Sequence, residues 1–293
     1  MLHPRLSSPG RVLRALLDER PLLAPGAYDA ITAKLAEQAG AKAIYLSGAG
    51  VTNSMTAMPD IALLTMDEMA RQANYVCSAV QIPVLADADT GYGESWNVMR
   101  TIREFERAGL AGLHLEDQAS PKRCGHLDGK QIIPVSEMAA KIKAAIKARQ
   151  DDSFFIIART DARSVDGLGD AIDRAKAYVD AGADCIFPEG LASKGEFEQF
   201  REAVPSPLLS NMTEFGKTPL ITASEFGSIG YEIVIFPMTA FRVMLKLVGE
   251  TYATLLNEGT QAGFLEDMRT RQELYDLIDY PAYERLDKEL SQD

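Results

Sequence analysis

The chain has 293 residues, 46% hydrophobic and 25% charged, with a formal net charge of −12 and a pI near 4.8. That balance supplies a sizeable core and argues against nucleic acid or an anionic membrane as partner, because both need a basic face. An anionic small substrate stays open, since a few arginines in one pocket outweigh the global field at short range.

The three cysteines, Cys77, Cys124 and Cys185, form neither a disulfide framework nor a CxxC pattern, so a reducing cytoplasm is expected. No apolar run resembles a signal peptide or reaches the roughly 18 residues that a membrane span requires.

In chain order, Pro21–Ala24 reads as the first strand, and the helix Asp29–Gln38 ends at Ala39-Gly40 before the apolar Ala43–Leu46. Met66–Val80 is helical, Pro83–Asp89 a strand, and the helix Asn97–Arg107 ends at Ala108-Gly109 before Gly112–Asp117. Ser136–Arg149 leads to a strand over Phe154–Asp161, and Gly169–Asp180 ends at Ala181-Gly182 before Cys185–Glu189. Lys194–Ala203 precedes a strand at Pro207–Asn211, and Thr222–Ser228 ends at Ile229-Gly230 before Ile233–Pro237, with Thr239–Asn257 following. A glycine just past a helix supplies a left-handed cap. Continuous apolar strands are what a parallel sheet buried on both faces needs.

About eight strands alternating with helices predict an α/β fold, a (β/α)8 TIM-type barrel. It is expected to be a single domain over 1–293, with 258–293 as a C-terminal helical extension carrying a charged helix around Phe264–Tyr275. A doubly wound sheet is the alternative, but the chain has no GxGxxG turn.

Barrel chemistry lies at the C-terminal strand ends, and polar residues cluster there. Asp87 and Asp89 flank Ala88, so both would face one side of an extended strand. With Glu116 they form a hard-oxygen site of the kind Mg²⁺ prefers. Arg159, Arg242 and Arg271 are candidate anion clamps, because guanidinium meets carboxylate in a planar fork. Arg159 is the strongest of them, since an arginine on an apolar strand needs a buried partner. Lys122-Arg123-Cys124-Gly125-His126 sets one thiol between two cations and a histidine, which lowers a thiol pKa and makes Cys124 a proton-transfer candidate. His126 reads as a hydrogen-bonding member of that site, His114 as a satisfied barrel residue, and Cys77 and Cys185 as small core hydrophobes. Trp96 is expected to cap the loop after the third strand.

These motifs resemble the isocitrate lyase / phosphoenolpyruvate mutase superfamily and, within it, the 2-methylisocitrate lyases. The resemblance runs through Tyr45-Leu46-Ser47-Gly48, Asp87–Gly93, Leu115–Gln118, Pro121–His126, Ala158–Ala162, Asn211–Gly216 and Thr270–Tyr275. It implies a carbon–carbon lyase that cleaves 2-methylisocitrate to pyruvate and succinate. Mg²⁺, with Mn²⁺ as the alternative, would be held through Asp87 and Asp89, and through Glu116 by way of water. Arg159 and Ser47-Gly48-Ala49 would hold the pyruvate half. Gly125, His126, Asn211, Met212, Thr213 and Arg242 would hold the rest of the tricarboxylate. Cys124 would protonate the departing carbanion. Tyr45 and Glu189 are candidates for taking the hydroxyl proton, with Glu189 alternatively bracing Arg159. Phe187 would leave room for the extra methyl. Family resemblance also implies a homo-oligomer, a dimer of dimers, whose C-terminal helices pack on or swap with a neighbour, so that Arg271 would act in its own site or a neighbour's. The same barrel acting on isocitrate or oxaloacetate, or serving as a non-catalytic dicarboxylate binder, are the alternatives.

Overall fold

Eight short parallel strands carry the architecture: β1 (Leu22–Ala27), β2 (Ile44–Leu46), β3 (Val84–Asp87), β4 (Gly112–Glu116), β5 (Phe155–Thr160), β6 (Cys185–Pro188), β7 (Leu209–Asn211) and β8 (Ile233–Phe236). They pair in the order β6-β5-β4-β3-β2-β1-β8-β7. The two ends meet at a parallel bridge between Ile186 and Leu208, where the Ile186 N–H donates to the Pro207 carbonyl at 2.9 Å. The sheet therefore closes into the expected barrel. The computed structural model describes residues 5–123, 125 and 129–291. They fall into two compact units, Arg5–Thr239 and the residues from Ala240 onward.

Helices alternate with the strands of the first unit: α1 (Pro9–Leu16), α2 (Ala30–Gln38), α3 (Gly48–Thr56), α4 (Met66–Ala79), α5 (Ser95–Ala108), α6 (Val135–Ala148), α7 (Leu168–Asp180), α8 (Lys194–Ala203) and α9 (Ala223–Ile229). The repeated glycines do what their position predicts. Gly40, Gly109, Gly182 and Gly230 all take positive φ, from 95° to 106°, just past a helix, a conformation glycine adopts without a Cβ clash.

Two helices of this unit were not among the sequence expectations. α1 has Pro9 at its first turn, and its Leu13, with Leu16 and Leu17, packs on a cluster of Leu22, Tyr45, Leu85, Phe155, Ile157, Phe187 and Ile235. α3 follows β2 directly, with the Ser47 hydroxyl accepting the Gly50 N–H at 3.1 Å as its N-cap. Trp96 is another correction: it sits in the first turn of α5 and is 82% exposed, so it covers no loop.

The second unit contains α10 (Thr239–Glu258, which begins in the last residue of the first), α11 (Arg271–Leu277) and α12 (Tyr280–Leu290). The single helix expected around Phe264–Tyr275 is instead a 3₁₀ segment over Ala262–Asp267 followed by α11. The break comes at Thr270, which starts a new helix through a capping box with Glu273; each side chain satisfies a terminal N–H of the other. Among the described residues of this unit only Phe241 and Leu277 are buried, whereas Leu245, Leu247, Tyr252, Leu256 and Tyr283 are exposed. No helix among the described residues is long and apolar enough to cross a membrane.

Candidate active site

Strand periodicity of two builds the site. Leu85, Ile157, Phe187 and Leu209 belong to the barrel core, and two residues further along stand Asp87, Arg159, Glu189 and Asn211. On β4 the same step runs from His114 to Glu116, which pair in register with Ile157 and Arg159. Each inward row thus changes from apolar packing to hydrogen-bonding groups at the C-terminal end of the barrel.

Arg159 is the centre of this layer. Its guanidinium donates to Asp161 through Nε at 2.9 Å and Nη2 at 3.1 Å, and it lies 3.3 Å from Glu116 and 3.5 Å from Glu189. Burial opposes the charge of Arg159, but Asp161, Glu116 and Glu189 outweigh it and raise the guanidinium pKa further. Burial pushes Asp161 up, yet Arg159 and Lys130 bring it below the ordinary carboxylate value. Glu189 accepts the Gly190 N–H at 2.8 Å and the Asn211 Nδ2 at 3.1 Å, an arrangement that braces Arg159. Asn211 keeps its Oδ1 buried without a hydrogen-bond partner. The Nδ2 amide carries two N–H donors, and the bond to Glu189 uses one of them. Thr213 is buried, and the buried Met212 commits its sulfur to the Ile221 N–H.

Asp87 and Asp89 come together through a turn, not through strand alternation. β3 ends at Asp87, Asp89 has φ 47°, and its N–H donates to Asp87 Oδ1 at 2.9 Å. Lys122, 3% exposed, pairs with Asp89 Oδ1 at 2.8 Å and with Asp60 Oδ1 at 2.5 Å. Its charge is therefore shared with these two carboxylates. Cys124 and His126 lie outside the described residues. Burial pushes Asp89 up to about 6 even though Lys122 pulls it down. For Asp87 burial also acts upward, but His114, Lys122 and Arg159 hold it below the ordinary value. Burial drives His114 itself down to about 4, so at neutral pH the cations acting on Asp87 are Lys122 and Arg159.

His114 is only half satisfied. Its Nε2 meets the Tyr45 hydroxyl at 2.8 Å and lies 3.6 Å from Asp87, while Nδ1 is buried with no hydrogen-bond partner. Burial raises the Tyr45 phenol, and Asp87 adds to the effect. Ser47-Gly48-Ala49 is the N-cap and first turn of α3. A Cβ on Gly48 would stand 2.7 Å from Asp87 Oδ2, so glycine admits the carboxylate to a helix N-terminus, where negative charge is favoured. Gly125 is as closely fitted: its Cβ would stand 2.4 Å from Arg159 Nη2 and 2.5 Å from Glu189 Cγ. Arg242 and Arg271 belong to the second unit, on α10 and at the exposed first residue of α11.

The donors suit a divalent cation. Both Glu116 carboxylate oxygens are buried without a hydrogen-bond partner, and burial pushes that carboxyl well above its usual value despite Arg159. Among the described residues no three His, Cys, Asp or Glu side chains form a ready metal cage. Asp60 was not recognised from sequence: it lies between α3 and α4, and only its pairing with Lys122 brings it to the site.

Residues 13–277 match the family described as phosphoenolpyruvate phosphomutase. A 2-methylisocitrate lyase of Aeropyrum pernix is 51% identical over 98% of this chain and 92% of its own. Among solved structures, an oxaloacetate acetylhydrolase in complex with 3,3-difluorooxalacetate superposes with a TM-score of 0.91 at 34% identity, over 98% of this chain and 99% of the other. A phosphonopyruvate hydrolase complex with oxalate and Mg²⁺ superposes with a TM-score of 0.85 at 30% identity, over 96% and 97%. The chain belongs to the phosphoenolpyruvate phosphomutase family, in the isocitrate lyase / phosphoenolpyruvate mutase superfamily. It is a carbon–carbon lyase.

Proposed function

We propose that the chain cleaves 2-methylisocitrate to pyruvate and succinate with the help of Mg²⁺. The observation that carries this reading is the buried Arg159 braced by Asp161, Glu116 and Glu189, beside an Asp87–Asp89 turn and close to Gly125 in the loop that bears Cys124. The similarity to a 2-methylisocitrate lyase supports it. Asp87 and Asp89, with Glu116 acting through water, would hold the cation, which would supply Lewis-acid chemistry at the substrate's 2-oxygen. Arg159 and the N-terminal turn of α3 would hold the pyruvate carboxylate. The 2-hydroxyl proton leaves, the C2–C3 bond breaks, and its electron pair passes to C3. Cys124 then donates a proton there to give succinate. Tyr45, whose hydroxyl meets His114 Nε2 at 2.8 Å, and Glu189 are the two groups proposed to take the hydroxyl proton.

Detecting pyruvate through a coupled dehydrogenase, with purified protein, Mg²⁺ and 2-methylisocitrate, tests the reading. Cys124→Ala is expected to keep the fold and lose roughly 10²-fold or more in kcat, the range for removing a positioned acid. Near wild-type turnover by that variant would remove Cys124 from the mechanism.

Phe187 bears on substrate choice. Its ring meets His114 edge-on at 5.4 Å and lies 5.2 Å under the Arg159 Cζ, so a larger ring there takes space beside the reacting carbons. Phe187→Trp should lower kcat/KM for 2-methylisocitrate about 10–200-fold more than for isocitrate, the worth of one methyl group. An unchanged ratio between the two substrates would exclude Phe187 as the methyl wall. The exposed apolar residues of the second unit support assembly into a homo-oligomer.

A further inference from the structure

Asp117 plays no part in the reading above, although it is fully buried. It follows Glu116, whose side chain faces the site, so its own points outward from the barrel, on the face of Leu113 and Leu115. Apolar packing against a helix is the ordinary use of that face, but the Asp117 carboxylate instead collects four donors. Its Oδ1 accepts the Asp161 N–H at 2.9 Å. Its Oδ2 accepts the Thr160 and Tyr178 hydroxyls, both at 2.8 Å, and the Arg174 Nη1 at 3.4 Å. Arg174 and Tyr178 come from α7, and Arg174 is itself fixed by donating to Asp170 at 2.7 Å and to the Ile133 carbonyl at 2.8 Å. Burial and the nearby Asp161 carboxylate push the Asp117 carboxyl up, and the hydrogen bonds from Asp161, Thr160 and Tyr178 oppose them.

Stability alone does not require this carboxylate, because well-packed apolar residues often replace a buried ion pair without loss. What an apolar residue cannot do is hold the Asp161 N–H. That N–H and the Thr160 carbonyl belong to one peptide group, at the end of β5 where the chain turns into a 3₁₀ segment (Ala162–Ser164). The carbonyl accepts the Glu189 N–H at 3.0 Å, and Asp161 grips Arg159 at Nε and Nη2. Both carboxylates therefore hang on the one peptide that Asp117 holds. We propose that Asp117 is a positioning residue: through the Thr160–Asp161 peptide it fixes the direction in which Asp161 and Glu189 hold Arg159. Its effect on turnover rests on the lyase reading; the tether itself rests on the contacts.

Because Asp117 faces α7, its loss reaches the substrate only through Arg159. A misplaced guanidinium weakens the grip on a carboxylate, whereas a variant that merely unfolds in part loses active enzyme at unchanged KM. Asp117→Ala, assayed well below its melting temperature, should therefore raise KM for 2-methylisocitrate about tenfold or more, the worth of a hydrogen bond to a charged group. A second measurement needs no substrate and so fails separately from the lyase reading: the melting temperatures of Asp117→Ala, Arg159→Met and the double variant. When two residues act through one network, part of each single loss is the same interaction. The double variant should then melt about 2 °C or more higher than the two shifts added together would place it. Tyr178→Phe takes one hydroxyl from the same carboxylate without changing charge. It should move both readouts in the same directions by less, and it decides the matter if Asp117→Ala does not fold. Unchanged KM in folded enzyme, or melting shifts that simply add, overturns the proposal. A wild type without turnover overturns the lyase reading instead, and the melting temperatures then decide the tether alone.

Discussion

Replacing Arg159 with methionine is expected to abolish turnover and to lower the melting temperature by roughly 10 °C. Breaking a buried pair by removing one partner costs about 3–5 kcal/mol, and a domain of this size loses about 2–4 °C per kcal/mol. The reason is that three buried carboxylates, Asp161, Glu116 and Glu189, lose their shared cation. The penalty also depends on pH. In the folded protein burial raises Asp161, but Arg159 and Lys130 hold it below its ordinary value. A carboxyl depressed on folding stabilises above its unfolded pKa, and that stability is lost as pH falls through the folded value. The variant lacks part of this stabilisation, so its deficit is full above about pH 4, the unfolded carboxylate range, and shrinks only as the pH falls below that toward the folded value. Arg159→Lys should recover part of the stability but little turnover, because an ammonium cannot reproduce the fork to Asp161. Calorimetry at two pH values alongside kcat/KM checks this. A wild-type melting temperature for Arg159→Met, or kcat/KM within tenfold of wild type, would show that Arg159 is not the keystone.

The barrel was legible because its signals are local. A helix-capping glycine followed by an apolar run marks four of the αβ junctions, and Gly40, Gly109, Gly182 and Gly230 behave as such caps. The charged strand ends were legible for the same reason, since Asp87, Glu116, Arg159 and Glu189 each follow an apolar stretch. Contacts between loops distant in sequence were not. Asp60 and Lys130 look like ordinary surface charges until Lys122 and Asp161 meet them. The Asp87–Asp89 geometry was misread because the strand ends one residue before Ala88, and the left-handed turn at Asp89, unusual for a non-glycine residue, has no distinct sequence mark. For α3, the signal was a serine N-cap in a segment rich in glycine, a composition that reads more readily as a turn. The tail's break was legible in principle, in the spacing of Thr270 and Glu273.

Withdrawing divalent cations should silence the enzyme completely and also lower its stability, and the second effect follows from charge alone. Among the described residues, six carboxylates, Asp60, Asp87, Asp89, Glu116, Asp161 and Glu189, gather around three cations, Lys122, Lys130 and Arg159. Even with Glu116 protonated, negative charge is in excess in a buried site. A cation that binds only the folded state stabilises it by about 2.7 kcal/mol at a hundred times its Kd. Chelator-treated protein should therefore melt several degrees lower than protein in excess Mg²⁺, roughly 5–10 °C at that ratio. Asp89→Asn removes one charge and one ligand oxygen at the turn, so the Mg²⁺-dependent shift should shrink or vanish while the barrel still folds. The thermal shift separates binding from chemistry, because it is read without substrate. Full turnover after exhaustive chelation would exclude a catalytic cation. A Mg²⁺ shift in Asp89→Asn equal to that of the wild type would place the ion away from the Asp87–Asp89 turn.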